Sequence, residues 1–537
     1  MILFRKFSSL MLKFSQDKNY IYIVTACLLS ITIYLLFEFI FTDGEMGVPL
    51  DDTWIHFRFA DNFIKGYFFQ YNPGEPTAGT TSPLYVVILG ITSLIIPNFI
   101  INSVFLSCLF YIFSCIIVYK ISLLIFQSSN FKFNDKIPSY LTPQKLSLII
   151  SLLTVFAGRF AWAAMSGMET TLFTFFTLAG VYFYLKDLRS DSFSVLPSLM
   201  FALSAVLRPE GMLIYSIYAF GITLNFVKDK TLKENLSKFA LYILIFLMIA
   251  LPYLIFSYNV SGHFFPNTFR GQGGGFSLIP NFNYLRIVGF FFLRDNLVTG
   301  LLYFGFIFYY FSNYKRYFSE FKYLNLIALW AIFLPLISSV LIPNWRHHVR
   351  YSMPLIPFVN IIAVYTLVVV FQKQYFHKLT DYLRPKRITP VIIILISFIY
   401  YFVYAVALGK NVDNINSQQV KLAEWVQLNV RRNETIAVND IGAITFLSNN
   451  RVIDMAGLIT PEILRYRTYT WADNLDSLNY LLKKNDVTYI IIYDHWFKEY
   501  LDKYGSELTF ITSAILEENT ICGGIEMKVY KTNFNRK

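Results

Sequence analysis

Two adjacent carboxylates, Asp51 and Asp52, stand a few residues ahead of His56 and Arg58 in the stretch VPLDDTWIHFRFAD, residues 48–61. A positioned carboxylate can take a proton in a transition state, and a fixed cation can stabilise the negative charge that develops there. Capping is the competing explanation. The pair opens a segment whose Ile55, Phe57, Phe59, Phe63 and Ile64 suit an amphipathic helix resting on a membrane surface, where a helix N-terminus favours carboxylates. That accounts for one of the two aspartates and leaves the rest of the loop unexplained.

Further polar groups punctuate the chain. The run Gln70–Tyr85 contains turn formers and hydroxyls, with Glu75, Thr81 and Ser82 able to form the polar wall of a cavity. Beyond it come Gly167-Met-Glu-Thr170, Arg208-Pro-Glu-Gly211, Phe265-Pro-Asn-Thr268 and Arg346-His-His-Val-Arg-Tyr351. Ionisable side chains at membrane depth are costly and face a cavity or one another. Glu169 and Glu210 therefore either line such a cavity or pair with a neighbouring arginine.

The elements that position these groups are membrane helices. Of the 537 residues 55% are hydrophobic, only 15% are charged, and the mean hydropathy is +0.48; soluble chains are about a quarter charged. Runs near the length of roughly 20 residues needed to cross a bilayer predict about eleven transmembrane helices: 20–41, 99–119, 146–158, 170–187, 193–207, 211–226, 239–258, 295–312, 323–342, 352–371 and 389–408. Arg5, Lys6, Lys13 and Lys18 place the N-terminus in the cytoplasm. The apolar stretch Ser82–Pro97 is read as a helix lying in or dipping into the outer interface.

With that parity the inner face carries sixteen Lys and five Arg, whereas the outer loops before residue 409 carry Lys65 and eight arginines: Arg58, Arg159, Arg208, Arg270, Arg286, Arg294, Arg346 and Arg350. The net charge of +12 thus reflects orientation and not nucleic-acid binding. Lysine retains charge generically, while arginine's planar fork recognises phosphate oxygens in pairs. Any single outer arginine is equally accounted for by snorkelling or by loop carbonyls. As a set they point to an anionic ligand at the outer leaflet. Cys27, Cys108, Cys115 and Cys522 form no C-x-x-C pair, so neither a disulfide framework nor structural zinc is expected.

From Gly409 the apolar runs stop, and residues 409–537 form a predicted extracytoplasmic α/β domain after a membrane domain of residues 1–408 with its first external loop at 42–98. Helical spacing marks 420–429 and 476–483; β-branched runs mark 435–438 and 487–493. The segments Asn439-Asp-Ile-Gly442 and Ile453–Leu458 could bind a polar group, but Gly and Asn/Asp at strand ends read mainly as turns.

The stretches DDTWIHFRFADNFIKG, YNPGEPTAGTTSPLY, SGMETTLF, RPEG, FPNTF and VNDIGAITFLSNNRVIDMAGL, in that order, make the chain resemble the GT-C superfamily of integral membrane glycosyltransferases, most closely its bacterial arabinofuranosyltransferase-like branch. The resemblance implies a polytopic α-helical membrane protein that takes a sugar from a polyprenyl-phosphate carrier in the bacterial cytoplasmic membrane. An acidic residue of the first external loop would serve catalysis, and the acceptor would be an extracytoplasmic glycan, lipid or protein.

On that footing an acceptor hydroxyl attacks the anomeric carbon as the lipid phosphate leaves from the opposite face. Asp51 is assigned as general base, with Asp52 as orienting partner or alternative base. Arg346, His347, His348 and Arg350 lead the candidates for the leaving phosphate, with Arg208 next and Arg58 or His56 behind them. His56, Glu75, Thr81, Ser82, Glu169, Glu210 and Asn267 would line the substrate cavity. A divalent cation bridging phosphate and carboxylates is compatible with the acidic pair, although no ligand spacing demands one. Transport or flipping of a lipid-linked sugar, and an O-antigen-type polymerase or ligase, are the alternative readings. The first would put functional polar groups on both faces and repeat its halves.

Overall fold

The computed structural model describes residues 17–128, 131, 137, 139–228, 230–231, 233–267, 277–373, 389–466 and 474–534. Arg5, Lys6, Lys13, Thr268, Arg270 and the basic residues of segments 132–136 and 374–388 lie outside the described residues. The chain is a multi-pass membrane protein. Each of the eleven predicted spans coincides with a helix, but among the described residues six helices are long and apolar enough to cross a bilayer by themselves: Lys18–Phe41, Phe99–Phe126, Gly211–Lys228, Leu236–Ser261, Arg346–Gln372 and Ile393–Asn429. A seventh span results if the pair Pro143–Val155 and Gly158–Met165, bent by 59°, is counted as one. Leu196–Leu207, Leu297–Ser312 and Asn325–Leu341 are apolar but shorter.

The chain divides into two compact units. The first comprises residues 1–36, 105–250 and 277–405. Its bent pair shows what a helix break requires in an apolar setting, where each freed carbonyl must find a donor within the protein. The Tyr111 hydroxyl donates to Val155 O at 2.6 Å, and the Tyr34 hydroxyl lies 2.9 Å from Gly158 O. Gly158 is glycine for lack of space, since a Cβ there would come within 2.8 Å of Tyr400 O.

The second unit comprises residues 37–104, 251–276 and 406–537, so the first external loop and the tail share one body. The loop contributes a two-stranded ribbon, β1 (Gln70–Asn72) and β2 (Glu75–Pro76). The tail contributes β3 (Thr435–Val438), β4 (Arg451–Asp454), β5 (Val487–Ile492), β6 (Leu508–Ile515) and β7 (Glu526–Thr532), in the order β4-β3-β5-β7-β6. β3 runs parallel to β4 and β5, while β7 pairs antiparallel with β5 and β6. β-branched β3 and β5 lie inside the sheet together with β7, and helix Leu475–Lys484 buries Leu478, Leu481 and Leu482 in the core with Ile490 and Ile492. Both predicted strands and both predicted tail helices are found within a residue or two of their expected limits. β4, β6 and β7 are additions.

The helix Asp51–Ile64 corrects one expectation. It does not rest on a membrane surface: Thr53 to Ala60 and Asn62 are all buried inside the second unit. Trp54 and Phe57 pack on Phe446 with ring centroids 5.7 Å away in both cases, and Phe99 joins them 5.6 Å from Phe57. Aromatic side chains this well covered contribute about 1.5–3 kcal/mol each by burial, enough to hold the helix without lipid. Ile55, Phe57 and Phe59 of the face that suggested lipid are buried in protein, while Phe63 is half-buried and Ile64 exposed.

Candidate active site

The acidic pair lies where the loop helix meets the tail sheet. Leu50 is the N-cap of helix Asp51–Ile64 and offers no side-chain bond, so Asp51 and Asp52 occupy its first turn. The Asp51 side chain caps a different helix, Gly442–Ser448, which follows β3. Gly442 N–H donates to Asp51 Oδ2 at 2.7 Å and Ala443 N–H to Oδ1 at 2.8 Å. A Cβ on Gly442 would stand 2.1 Å from Asp51 O and 2.6 Å from Oδ1, so only glycine permits this approach. Gly442→Ala must therefore displace the loop backbone or the carboxylate. We expect a loss of about 1–3 kcal/mol, the usual cost of overpacking, read as a lower unfolding temperature of the purified protein.

Asp440 belongs to the segment Asn439–Gly442, which the sequence favoured as a turn over a polar site. It follows the carboxyl end of β3, and Tyr493 follows the carboxyl end of the neighbouring β5, at the edge where open α/β sheets hold their ligands. Asp51, Asp52 and Asp440 are electrostatic neighbours, each half-buried. Burial pushes the Asp51 carboxyl up to about 8 and Asp440 adds to the rise, while the Ala443 and Gly442 N–H groups pull the other way. Asp440 is also raised, by burial first and by Asp52. Gln419 Nε2 donates to Asp440 Oδ2 at 3.1 Å and Asn439 Nδ2 to Oδ1 at 3.2 Å. Burial and Asp440 hold the Tyr493 phenol well above its ordinary range, and burial does the same to the Cys522 thiol beside Gln419. A π-helical turn over Asn416–Val420 turns both Gln418 and Gln419 inward, a local irregularity that recurs at functional sites. Among the described residues no group of three or more His, Cys, Asp and Glu is placed to hold a metal ion.

The rest of the loop braces this corner. Arg58 Nε donates to Tyr71 O at 3.1 Å and its Nη1 bonds Asn449 Oδ1, at the end of the capped helix. Tyr71 donates to Ile441 O at 2.6 Å. Glu75 accepts from Arg451 at 2.7 Å, and Asn72 exchanges two bonds with Val452 of β4. His56 is buried edge-on against Tyr85, 5.3 Å between ring centroids. Ser82 is buried with its N–H on Thr80 Oγ1, and Thr81 is half-buried. Asn267 is buried, its N–H donating to Ala78 O at 3.0 Å.

The first unit gathers the other expected residues. Arg208, only 2% exposed, bonds Glu210 at 2.8 Å and faces Glu169 at 3.8 Å. Its guanidinium lies over Phe173 at 5.3 Å and Tyr351 at 4.8 Å, and Arg350 approaches the same Tyr351 ring at 5.3 Å. Among the described residues Arg208 Nη1 has no hydrogen-bond partner. Arg346 is exposed and Arg350 buried.

His347, His348 and Val349 all adopt left-handed backbone, with φ of 53°, 59° and 56°. For a β-branched residue such as Val349 this is a strained conformation of the kind that collects at functional sites. The turn sends His348 between Trp162 and Tyr404, at 5.2 and 5.4 Å, and leaves His347 half-buried. The His348 carbonyl accepts from Arg159, whose guanidinium makes a bidentate pair with Asp295. Arg159 was visible as one of the outer arginines; nothing in the sequence pointed to Asp295.

A family model described as a domain of unknown function, DUF8728, matches residues 412–530. No curated protein matches the chain. Among solved structures it is similar to ArnT from Cupriavidus metallidurans bound to undecaprenyl phosphate, at 12% identity and a TM-score of 0.58, covering 94% of this chain and 97% of that one. It is also similar to the apo oligosaccharyltransferase of Archaeoglobus fulgidus, at 13% identity and a TM-score of 0.57, covering 88% of this chain and 69% of that one. These likenesses are of fold alone: over most of its length the chain shares the fold of these two proteins.

Proposed function

We propose that the chain is a membrane glycosyltransferase that moves a sugar from a polyprenyl-phosphate carrier to an extracytoplasmic glycan, lipid or protein acceptor, inverting the anomeric centre. The observation that carries this reading is the Asp51 carboxylate fixed by two backbone N–H groups at the carboxyl edge of the sheet. It occurs in a chain that shares its fold with a protein crystallised on undecaprenyl phosphate and with an oligosaccharyltransferase. In this proposal residues 1–408 are the catalytic membrane domain, residues 409–537 are extracytoplasmic, and the N-terminus is cytoplasmic in a bacterial inner membrane.

Asp51 takes the acceptor proton. Its two N–H partners fix the carboxylate plane and leave lone pairs for the incoming hydroxyl, and a proton affinity near neutrality is what general-base catalysis favours. Asp52 orients it or shares the role. Arg350, Arg346 and the unpartnered Nη1 of Arg208 supply donors for the leaving phosphate, with His347 or His348 assisting. Arg58 is the weakest of these candidates, because its Nε and Nη1 are engaged by Tyr71 O and Asn449 Oδ1.

Transfer should rise with pH, with a midpoint near 8, because only the ionised carboxylate accepts the proton. Stability should run the opposite way. A carboxyl whose proton affinity is raised by folding contributes fully below the ordinary carboxylate range, and that contribution is lost as pH climbs towards 8. A pH–rate profile and unfolding temperatures over the same range check both signs. The reading itself is tested by mass profiles of envelope glycans and polyprenyl-phosphate sugars from cells lacking the protein. Loss of one sugar increment, with its lipid carrier accumulating, supports it; unchanged profiles refute it.

A further inference from the structure

The hydrogen bonds around Tyr493 do not balance unless a neighbouring carboxyl carries a proton. Gln418 Nε2 faces the carbonyls of Gly524 at 3.2 Å and Ile525 at 3.0 Å, which fixes its amide so that Oε1 points to Tyr493. Tyr493 Oη lies 2.6 Å from that Oε1, a distance that only its own proton explains. Its single proton is then spent. Gln419 Nε2 donates to Tyr493 Oη at 3.0 Å, yet Asp440 Oδ2 also stands 3.1 Å from the same oxygen. Two lone pairs would face one another there unless Asp440 is the donor.

Asp51 shows the opposite preference. Both its oxygens accept backbone N–H groups, an arrangement that favours the charged form. We propose that Asp440 is held as a neutral carboxylic acid donating through Oδ2 to Tyr493, so that it stays uncharged while Asp51 ionises. Asp440 is then a positioning residue. Building on the transferase reading, its neutrality spares Asp51 a second negative charge that would oppose ionisation of the first. The titratable groups facing Asp440 are Asp51, Asp52, Tyr493 and Cys522; the amides of Gln419 and Asn439 complete its surroundings.

Infrared spectra of the purified full-length protein near neutral pH test the proton directly. The expected result is a carboxylic-acid carbonyl band that is lost in Asp440→Asn and moves in frequency in Tyr493→Phe, which removes its acceptor. No difference between wild type and Asp440→Asn would overturn the assignment, and Tyr493→Phe keeps the test open if the Asn variant does not fold. In the pH–rate profile of Asp440→Asn the rising limb should stay where it is, because one uncharged group replaces another; a limb that moves to lower pH overturns the neutral form of Asp440. The infrared band does not depend on sugar transfer, so its presence in a protein that transfers nothing would sink the transferase reading and leave the proton on Asp440.

Discussion

Asp51→Asn is expected to reduce sugar transfer by roughly 10²–10⁴-fold, the usual worth of a positioned proton acceptor. The structure adds a second consequence that the sequence did not suggest. Both carboxylate oxygens accept N–H groups from the start of helix Gly442–Ser448, and an asparagine presents one acceptor and one amide nitrogen to those two donors. One donor must lose its partner, so the variant should also lose about 0.5–2 kcal/mol, the range measured for removing a helix cap. Transfer assays on protein from membranes, alongside thermal unfolding of the same samples, separate the effects. A variant that unfolds slightly earlier yet transfers normally would make Asp51 a cap alone and pass the base role to Asp52. Full loss of transfer with Asp52→Asn but not with Asp51→Asn would do the same.

That pairing of roles explains what was legible beforehand and what was not. The acidic pair stood out as chemistry and as a cap of its own helix; the helix that Asp51 does cap begins 391 residues further on. Local spacing cannot reveal a partner supplied by the far end of the chain. The strand Thr435–Val438 was evident from its β-branched run, whereas Asp440 two residues later looked like an ordinary turn residue; only the pairing of β3 with β5 sets it beside Tyr493. Likewise the apolar face of Asp51–Ile64 was correctly read as a face to be covered, and what covers it, Phe446 and Phe99, was invisible. Periodicity says that a surface must be buried. It does not say against what.

Arg208→Ala should be the most destabilising single change among the candidate residues. It removes the cation between Glu169 and Glu210 and leaves two carboxylates, one of them buried, without their partner. Breaking a buried pair from one side costs about 3–5 kcal/mol, mostly as the penalty of the charge left behind. Loss of transfer in that variant would therefore say little about phosphate. The informative protein is Arg208→Met combined with Glu169→Gln and Glu210→Gln, in which charge is removed from every member and the methionine refills space beside Phe173 and Tyr351. Its unfolding temperature should recover most of what Arg208→Ala loses, since replacing a whole buried ionic group by neutral side chains is often close to neutral in energy. If the open Nη1 serves the leaving phosphate, transfer should stay low in this refolded triple variant, because the donor for the developing charge is gone. Recovery of transfer together with stability would reduce Arg208 to a structural counter-ion and leave Arg350, 5.3 Å from the same Tyr351 ring, and Arg346 as the groups that meet the phosphate.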